Sequence, residues 1–570
     1  MATYNNTPGV YVKEIPTLPA SVAQVATAIP AFIGYTERAD KNGTALAPRN
    51  TPTRISSMIE YEKYFGGPQF ESEMTVIVDM DDEQNVRNIQ LDPLYTFSPY
   101  VMYYQIQMYF ANGGGPCYIV SAGSYEDPIA PGDAIAGTGL LGGLSALAME
   151  DEPTLIVFPD AREIADETNF YDLYIQALDQ CNTLQDRFTI VDLYGDGETA
   201  AETLRNFLAS DYLKYGAAYY PDLQTSLSYA YRDSEVIISD IPGEYIIENK
   251  IRVLYHGPVT HNPQLVINLV PPADLGGNVA TFEYTDYALT INIDNNNNTS
   301  VSALIPAWNS YSGEKGLFSI VSLDDMSQLI PGAGNDVDPA TIPTDMVYPT
   351  SSTLENLAVY NSQLYNQVKA EIARQASVIL SPSAAIAGVY ARTDRDRGVW
   401  KAPANTPLAN VIAPTVKITD AMQDTLNVDA TSGKSVNAIR AFSGKGTLVW
   451  GARTLAGNDN EWRYVSTRRL FIMVEESIEK STSWVVFQPN DARTWIKVKA
   501  QIENFLNGLW RDGALAGAKA EEAFFVNVGL GITMDSQDIL EGRMNIEIGM
   551  AAVRPAEFII LKFSHKLQKA

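Results

Sequence analysis

Asn490-Asp-Ala-Arg-Thr-Trp-Ile-Lys-Val-Lys-Ala-Gln-Ile-Glu-Asn-Phe-Leu-Asn-Gly-Leu-Trp-Arg-Asp-Gly513 is the most regular stretch of the chain, and the C-terminal region reads outward from it. Asn490 or Asp491 caps a helix, because a short polar side chain accepts a bond from an orphan N–H of the first turn. Trp495, Val498, Ile502, Phe505, Leu506 and Leu509 then share one helical face, and Gly513 supplies the stop. Downstream, Phe524 to Val528 reads as a buried strand. Met544, Ile546 and Ile548 alternate with Arg543, Asn545 and Glu547, the period of a half-buried strand. Glu557 to Phe563 reads as a third strand near the chain end, carried by Phe558, Ile559, Ile560, Leu561 and Phe563. Upstream, Leu470, Met473, Val474 and Ile478 form the apolar face of a further helix, with Arg468 and Arg469 expected on its water-facing side.

The opposite end has the same character. Val10, Val12 and Glu14 alternate with Tyr11, Lys13 and Ile15 in a short extended segment between Pro8 and Pro16. Pro16, Pro19 and small residues follow, so no hairpin partner is near. Backbone N–H and C=O groups need partners. This strand therefore pairs with something distant, in this chain or in another.

Between the ends, the 570 residues amount to roughly three to four domains' worth of chain. Residues 1–28 read as an N-terminal extended arm and 29–122 as an N-terminal domain of short strands with a helix around Pro99 to Phe110. From 123 to 224 strands (Thr154 to Phe158, Phe188 to Leu193, Tyr215 to Tyr220) alternate with helices, which argues a parallel sheet. Residues 225–349 change texture: strand-like runs at Tyr245 to Ile247, Leu265 to Leu269 and Tyr287 to Ile293 are broken by Pro, Gly and Asn, as in an inserted β-rich domain. A capping-box pattern at Ser352 and Glu355 opens a helix, Val378 to Leu380 resumes the α/β layer over 350–455, and 456–570 is the C-terminal domain with its terminal strand. The expected class is α/β and α+β multidomain.

Charge and composition exclude several classes. A net charge of −28 opposes phosphate, so neither nucleic acid nor an anionic membrane surface is an expected partner. No apolar run spans a bilayer and no basic-then-apolar leader opens the chain, which predicts cytoplasmic synthesis and no direct membrane insertion. Cys117 and Cys181 are too few for a disulfide framework. The 31 tyrosines fit either a core or buried interfaces.

Several blocks carry a family resemblance. Pro8-Gly-Val-Tyr-Val-Lys-Glu-Ile15, Thr27-Ala-Ile-Pro-Ala-Phe-Ile-Gly-Tyr35, Ala387-Gly-Val-Tyr-Ala-Arg-Thr-Asp394 running into Arg397-Gly-Val-Trp-Lys-Ala-Pro-Ala-Asn405, Trp462-Arg-Tyr-Val-Ser-Thr-Arg-Arg-Leu470, Trp484 to Asp491, Asp512-Gly-Ala-Leu-Ala-Gly517 and Arg554-Pro-Ala-Glu-Phe558 resemble, in order, the contractile tail sheath proteins of phage tails, R-type pyocins and injection systems. The resemblance implies a six-fold helical homo-oligomer around an inner tube, with baseplate and terminator or cap proteins at its ends, assembled in the cytoplasm as part of a virion or injection particle. It implies a subtilisin-like middle domain, an outer position for the inserted domain, and a C-terminal sheet completed by strands exchanged between subunits. Val10, Tyr11, Val12 and Ile15, and Phe558, Ile559, Ile560, Leu561 and Phe563, are the candidate exchanged strands; Met544, Ile546 and Ile548 the receiving sheet. Arg493, Lys497, Lys499 and Arg511 are candidate tube contacts, a local basic cluster in an acidic chain.

Chemistry is not legible. Gly137-Thr-Gly-Leu-Leu-Gly142 has dinucleotide glycine spacing but follows Pro131-Gly-Asp-Ala rather than a strand, and Ser443-Gly-Lys-Gly-Thr447 lacks the end of a phosphate loop. Asp79-Met-Asp-Asp-Glu83 lacks calcium-loop spacing. Only His256, His261 and His565 could act as imidazole bases, and none sits on the α/β scaffold. No enzyme, cofactor or metal is expected. A hydrolase on the α/β domain and a non-contractile shell or tube protein are the alternatives. The mixed-charge run Arg392, Asp394, Arg395, Asp396 and Arg397 reads as a solvated or inter-subunit ion-pair network.

Overall fold

Short apolar runs scattered from Pro30 to Val449 meet in one sheet, because strands buried on both faces are stable only between other strands and covering helices. The computed structural model describes residues 22–558 apart from positions 42, 47–48, 81–85, 196, 198, 240–242, 248–250, 256–262, 286, 295–298, 314, 316–317, 323–340, 346–352 and 361. Contacts divide the chain into two compact units, 1–68 with 99–226 and 379–570, and 69–98 with 227–378.

The first unit is built on a nine-stranded sheet. Its order is Thr406–Pro407, Gly446–Val449, Val436–Phe442, Gly216–Tyr220, Phe188–Val191, Leu155–Val157, Pro30–Tyr35, Cys117–Gly123 and Thr53–Ile55. The strands from Val436–Phe442 to Cys117–Gly123 are mutually parallel, and the edge pairings are antiparallel. Every residue of Pro30–Tyr35, Leu155–Val157, Phe188–Val191 and Gly216–Tyr220 is buried. Helices Gly139–Leu147 and Glu167–Leu184 pack on one another, as do Met102–Ala111 and Ser383–Arg397, and all four lie against the sheet. Gly388 permits the second pairing: a Cβ there meets the Tyr109 carbonyl oxygen at 2.5 Å. Tyr61, Tyr109, Tyr171, Tyr174, Tyr215, Tyr219 and Tyr390 are fully buried, so much of the tyrosine content is core.

Residues 29–122, read above as a domain of their own, instead contribute Pro30–Tyr35 and Cys117–Gly123 as the seventh and eighth strands of this sheet, while 69–98 belong to the second unit. The register of a parallel sheet is set by long-range pairing, which local periodicity does not encode. Ser377–Leu380 is a strand, but it lies outside the nine-stranded sheet.

The second unit is β-rich. Gln264–Val270 runs parallel to Ala288–Asp294 and antiparallel to Thr341–Asp345, and Ala280–Thr285 completes that sheet. Gly243–Ile247, Ile251–Tyr255 and Phe318–Ser322 form a second sheet. Helix Val301–Ser310 closes the core they share, around Phe282, Leu304 and Trp308. A separate core joins Met74, Val76 and Val236 to Leu364, Val368 and Ile372 of helix Ser362–Gln375.

Candidate assembly surface

The capped helix forms as its sequence directs. It spans Ala492–Arg511, and Asp491 Oδ1 accepts from the N–H groups of Arg493 and Thr494, both at 3.0 Å. Those donors and the helix dipole favour the ionised form and hold the Asp491 carboxyl below the ordinary carboxylate range. At the other end Gly513 takes φ +81, the Gly513 N–H donates to Trp510 O at 3.0 Å and the Ala514 N–H to Leu509 O at 2.9 Å. This paired closure needs a left-handed residue, which glycine adopts without a Cβ clash. Val498, Ile502, Leu506 and Leu509 are buried against Leu470, Met473 and Val474 of helix Val465–Thr482; Trp495 and Phe505 are half-buried.

On this pair of helices sits an antiparallel sheet of two strands, Phe524–Val528 and Ile546–Met550. Val526 lies opposite Ile548 and Val528 opposite Ile546. Ile546, Ile548 and Met550 pack on the helical core, and Glu547 faces out, so the alternation read from sequence holds. Met544 is half-buried but precedes the strand. Among the described residues each strand has one neighbour, leaving an open edge on either side. Phe525, on the first of these strands, is 49% exposed, and Phe558 is 73% exposed. Glu557 and Phe558 have no strand pairing; Ile559, Ile560, Leu561 and Phe563, and Val10, Tyr11, Val12 and Ile15, lie outside the described residues, as do His256, His261 and His565.

The four basic candidates separate. Arg493, Lys497 and Arg511 share the exposed face of helix Ala492–Arg511 at about 100° per residue, with no ion pair among the described residues. Lys499 lies to the flank, 3.6 Å from Glu503.

Arg468 and Arg469 do not face water, contrary to the sequence expectation; they are 3% and 4% exposed. Arg468 lies over the rings of Tyr215 and Trp462 and donates to Glu475 at 2.6 Å. Arg469 donates to both carboxylate oxygens of Asp394, at 3.0 and 2.6 Å, and stacks on Tyr390. The mixed-charge run is therefore not one solvated network. Asp394 is buried within the chain, and the exposed remainder holds the neighbouring pair Arg395–Asp396. A polar residue on the apolar side of a helix looks solvated until its distant partner is known.

Two further carboxylates escaped the sequence reading. Asp160 follows strand Leu155–Val157, is fully buried, and accepts from the N–H groups of Tyr35, Val101 and Met102 at 2.7–3.0 Å. Burial pushes its pKa up to about 7 against those donors. Asp192 follows Phe188–Val191, accepts from the N–H and hydroxyl of Ser383, and is raised by burial to about 6. Both stand at the carboxyl ends of parallel strands, where α/β folds place their sites. The Ser383 hydroxyl donates straight to Asp192 at 2.6 Å, with no base between them. A charged residue directly after an apolar run was the available signal.

Residues 457–566, which hold the two-stranded sheet and its helices, match the family described as phage tail sheath C-terminal domain. In this segment the chain is similar to tail sheath proteins. The tail sheath protein of Enterobacteria phage T4 is 28% identical over 129 residues, 22% of this chain and 19% of its own length. The chain thus matches about a fifth of that relative. Solved structures extend the likeness to the whole chain. The helical sheath of the anti-feeding prophage in its contracted state superposes with a TM-score of 0.53 at 27% identity, covering 99% of this chain and 100% of that one. A chain of the six-fold symmetrised anti-feeding prophage baseplate gives the same figures. The chain is mixed α/β and multidomain, and it matches contractile sheath structures. No helix among its described residues is long and apolar enough to cross a membrane.

Proposed function

We propose that this chain is the repeating subunit of a contractile sheath, which polymerises as a six-fold helix around an inner tube and shortens to drive that tube through a target envelope. The carrying observation is the two-stranded sheet of the sheath domain, whose strands each have one neighbour among the described residues. Two strands alone are marginal, and an open edge is a template for strand addition. The strand around Val10, Tyr11, Val12 and Ile15 from one neighbour, and that around Ile559, Ile560, Leu561 and Phe563 from another, complete it. Each added strand contributes about four to six backbone bonds of roughly 1 kcal/mol net. Such links hold copies together while their bodies slide.

In this reading the exposed basic face at Arg493, Lys497 and Arg511 meets the inner tube, and baseplate and cap proteins close the ends. The α/β layer is a subtilisin-like scaffold without catalytic duty, and 225–349 forms the outer insertion. The extended sheath persists behind a kinetic barrier, and contraction adds body-to-body contacts. Co-expression with the inner-tube gene, followed by negative-stain electron microscopy, tests the reading. Striated hollow tubes that shorten and widen in urea or acid are expected. Tubes that form but never shorten would leave a static shell protein instead.

A further inference from the structure

Two buried arginines hold the chain at the points where it runs toward its two ends. At the N-terminal side, Arg469 Nη2 donates to the Thr27 carbonyl at 2.6 Å while the same guanidinium grips Asp394, and the Thr27 hydroxyl donates to Asp394 at 2.6 Å. Upstream of this knot the segment from Val22 lies along helix Val465–Thr482. The Val25 N–H donates to the Ser477 hydroxyl at 3.1 Å and the Ala23 N–H to the Ser481 hydroxyl at 3.2 Å. Ser477 and Ser481 are one turn apart, about 6 Å of rise. Two residues of extended chain cover about 6.6–6.8 Å. The hydroxyls are thus spaced to read alternate amides of an antiparallel strap. Thr27 and Ala28 lead directly into Ile29, whose N–H donates to Thr154.

At the C-terminal side, Arg453 donates to both carboxylate oxygens of Glu557, at 2.9 and 2.5 Å, and to the Asn427 carbonyl. Arg453 is 4% exposed, in the loop after strand Gly446–Val449, whereas Phe558, the next residue, is 73% exposed. A bidentate guanidinium–carboxylate pair fixes direction as well as distance, and losing one partner leaves the other charge buried.

We propose that Arg469–Asp394–Thr27 and Arg453–Glu557 are tie-off clamps that set how far each terminal segment reaches toward a neighbouring copy of this chain. This rests on the sheath reading above. Opening the first clamp releases the strap as far as Ile29 and lengthens that reach by about 20 Å.

Hydrogen–deuterium exchange on the purified full chain tests the clamps without requiring assembly. Peptides over 22–29 and 551–558 are expected to be protected. Asp394→Asn speeds exchange in the first at least tenfold, Glu557→Gln does so in the second, and peptides over 155–157 and 188–191 stay unchanged. Ser477→Ala, which removes only a hydroxyl, gives a smaller change confined to 22–29. The reach is tested by microscopy of co-expressed sheaths, comparing Asp394→Asn with a three-residue insertion between Ala20 and Ser21 that lengthens the arm without touching the clamp. The same loss of sheath order in both is expected. Unprotected wild-type segments, variants without effect on exchange, or a disruptive insertion beside an Asp394→Asn sheath of normal order would each overturn the proposal. A wild-type chain that forms no sheath with its tube protein defeats the sheath reading, and the exchange rates then decide the clamps alone.

Discussion

The nine-stranded sheet and the two-stranded sheet lie in the same compact unit and solve the same problem differently. In the first, the middle strands have neighbours on both sides and helices against them, so their backbone groups and apolar side chains are satisfied within one chain. In the second, Phe524–Val528 and Ile546–Met550 satisfy one edge each, and Phe525 stays half exposed. One sheet stabilises the fold; the other stops short, which a monomer tolerates only if helices such as Ala492–Arg511 support it.

The sharpest way to break this contrast is to delete residues 1–16. Ordered sheath is expected to vanish in micrographs while the circular dichroism and melting of the monomer persist, because the strands of the nine-stranded sheet pair with one another among the described residues. Sheaths of normal length from this deletion would remove strand exchange from the account. Next in size, Ile156→Ala in the fully buried strand Leu155–Val157 should cost about 2–5 kcal/mol in denaturant unfolding, whatever the assembly state.

The large sheet also carries a pH signature, set by buried carboxyls at its strand ends. Asp160 has its folded pKa raised to about 7 from 3.8, so the folded chain holds that proton more tightly than the unfolded chain. The resulting stabilisation is full below about pH 4 and is lost as pH rises through about 7; Asp192, raised to about 6, acts in the same sense. Tm from calorimetry should carry a component that falls between about pH 4 and 7, and Asp160→Asn should flatten it.

Smaller effects separate stability from assembly at the small sheet. Phe525, whose ring covers Gly549 on the facing strand, is expected to cost about 1 kcal/mol or less in the monomer when changed to Ser, yet to weaken sheath assembly in sedimentation. Arg493→Glu with Lys497→Glu should leave monomer unfolding within about 0.5 kcal/mol, since both side chains are exposed, and should lower only tube-dependent assembly. Unchanged tube-dependent assembly would free that face from any role in tube binding.

How much was legible follows the range of the interactions. The cap at Asp491, the buried stripe through Val498, Ile502 and Leu506, the stop at Gly513 and the strand Phe524–Val528 were all readable, because each is set within a few residues by helical or pleated period. The β-rich runs at Leu265 to Leu269 and Tyr287 to Ile293 were readable for the same reason, although Tyr287 itself precedes its strand at φ +64. The open edges of the candidate site were only half visible: sequence showed terminal strands without local partners, but not that Met544 falls outside the receiving strand or that Lys499 pairs with Glu503.

The sequence by itself determined the local elements and the acidic, histidine-poor character of the chain. Tertiary structure alone decided that Pro30–Tyr35 lies between Cys117–Gly123 and Leu155–Val157, that 69–98 leave the first unit for the second, and that Arg468, Arg469 and Arg453 are buried. The physical reason is the same in each case. A helix or strand is chosen by neighbours in sequence, whereas a parallel register or a buried charge is chosen by a partner tens to hundreds of residues away, and no period in the chain records that distance.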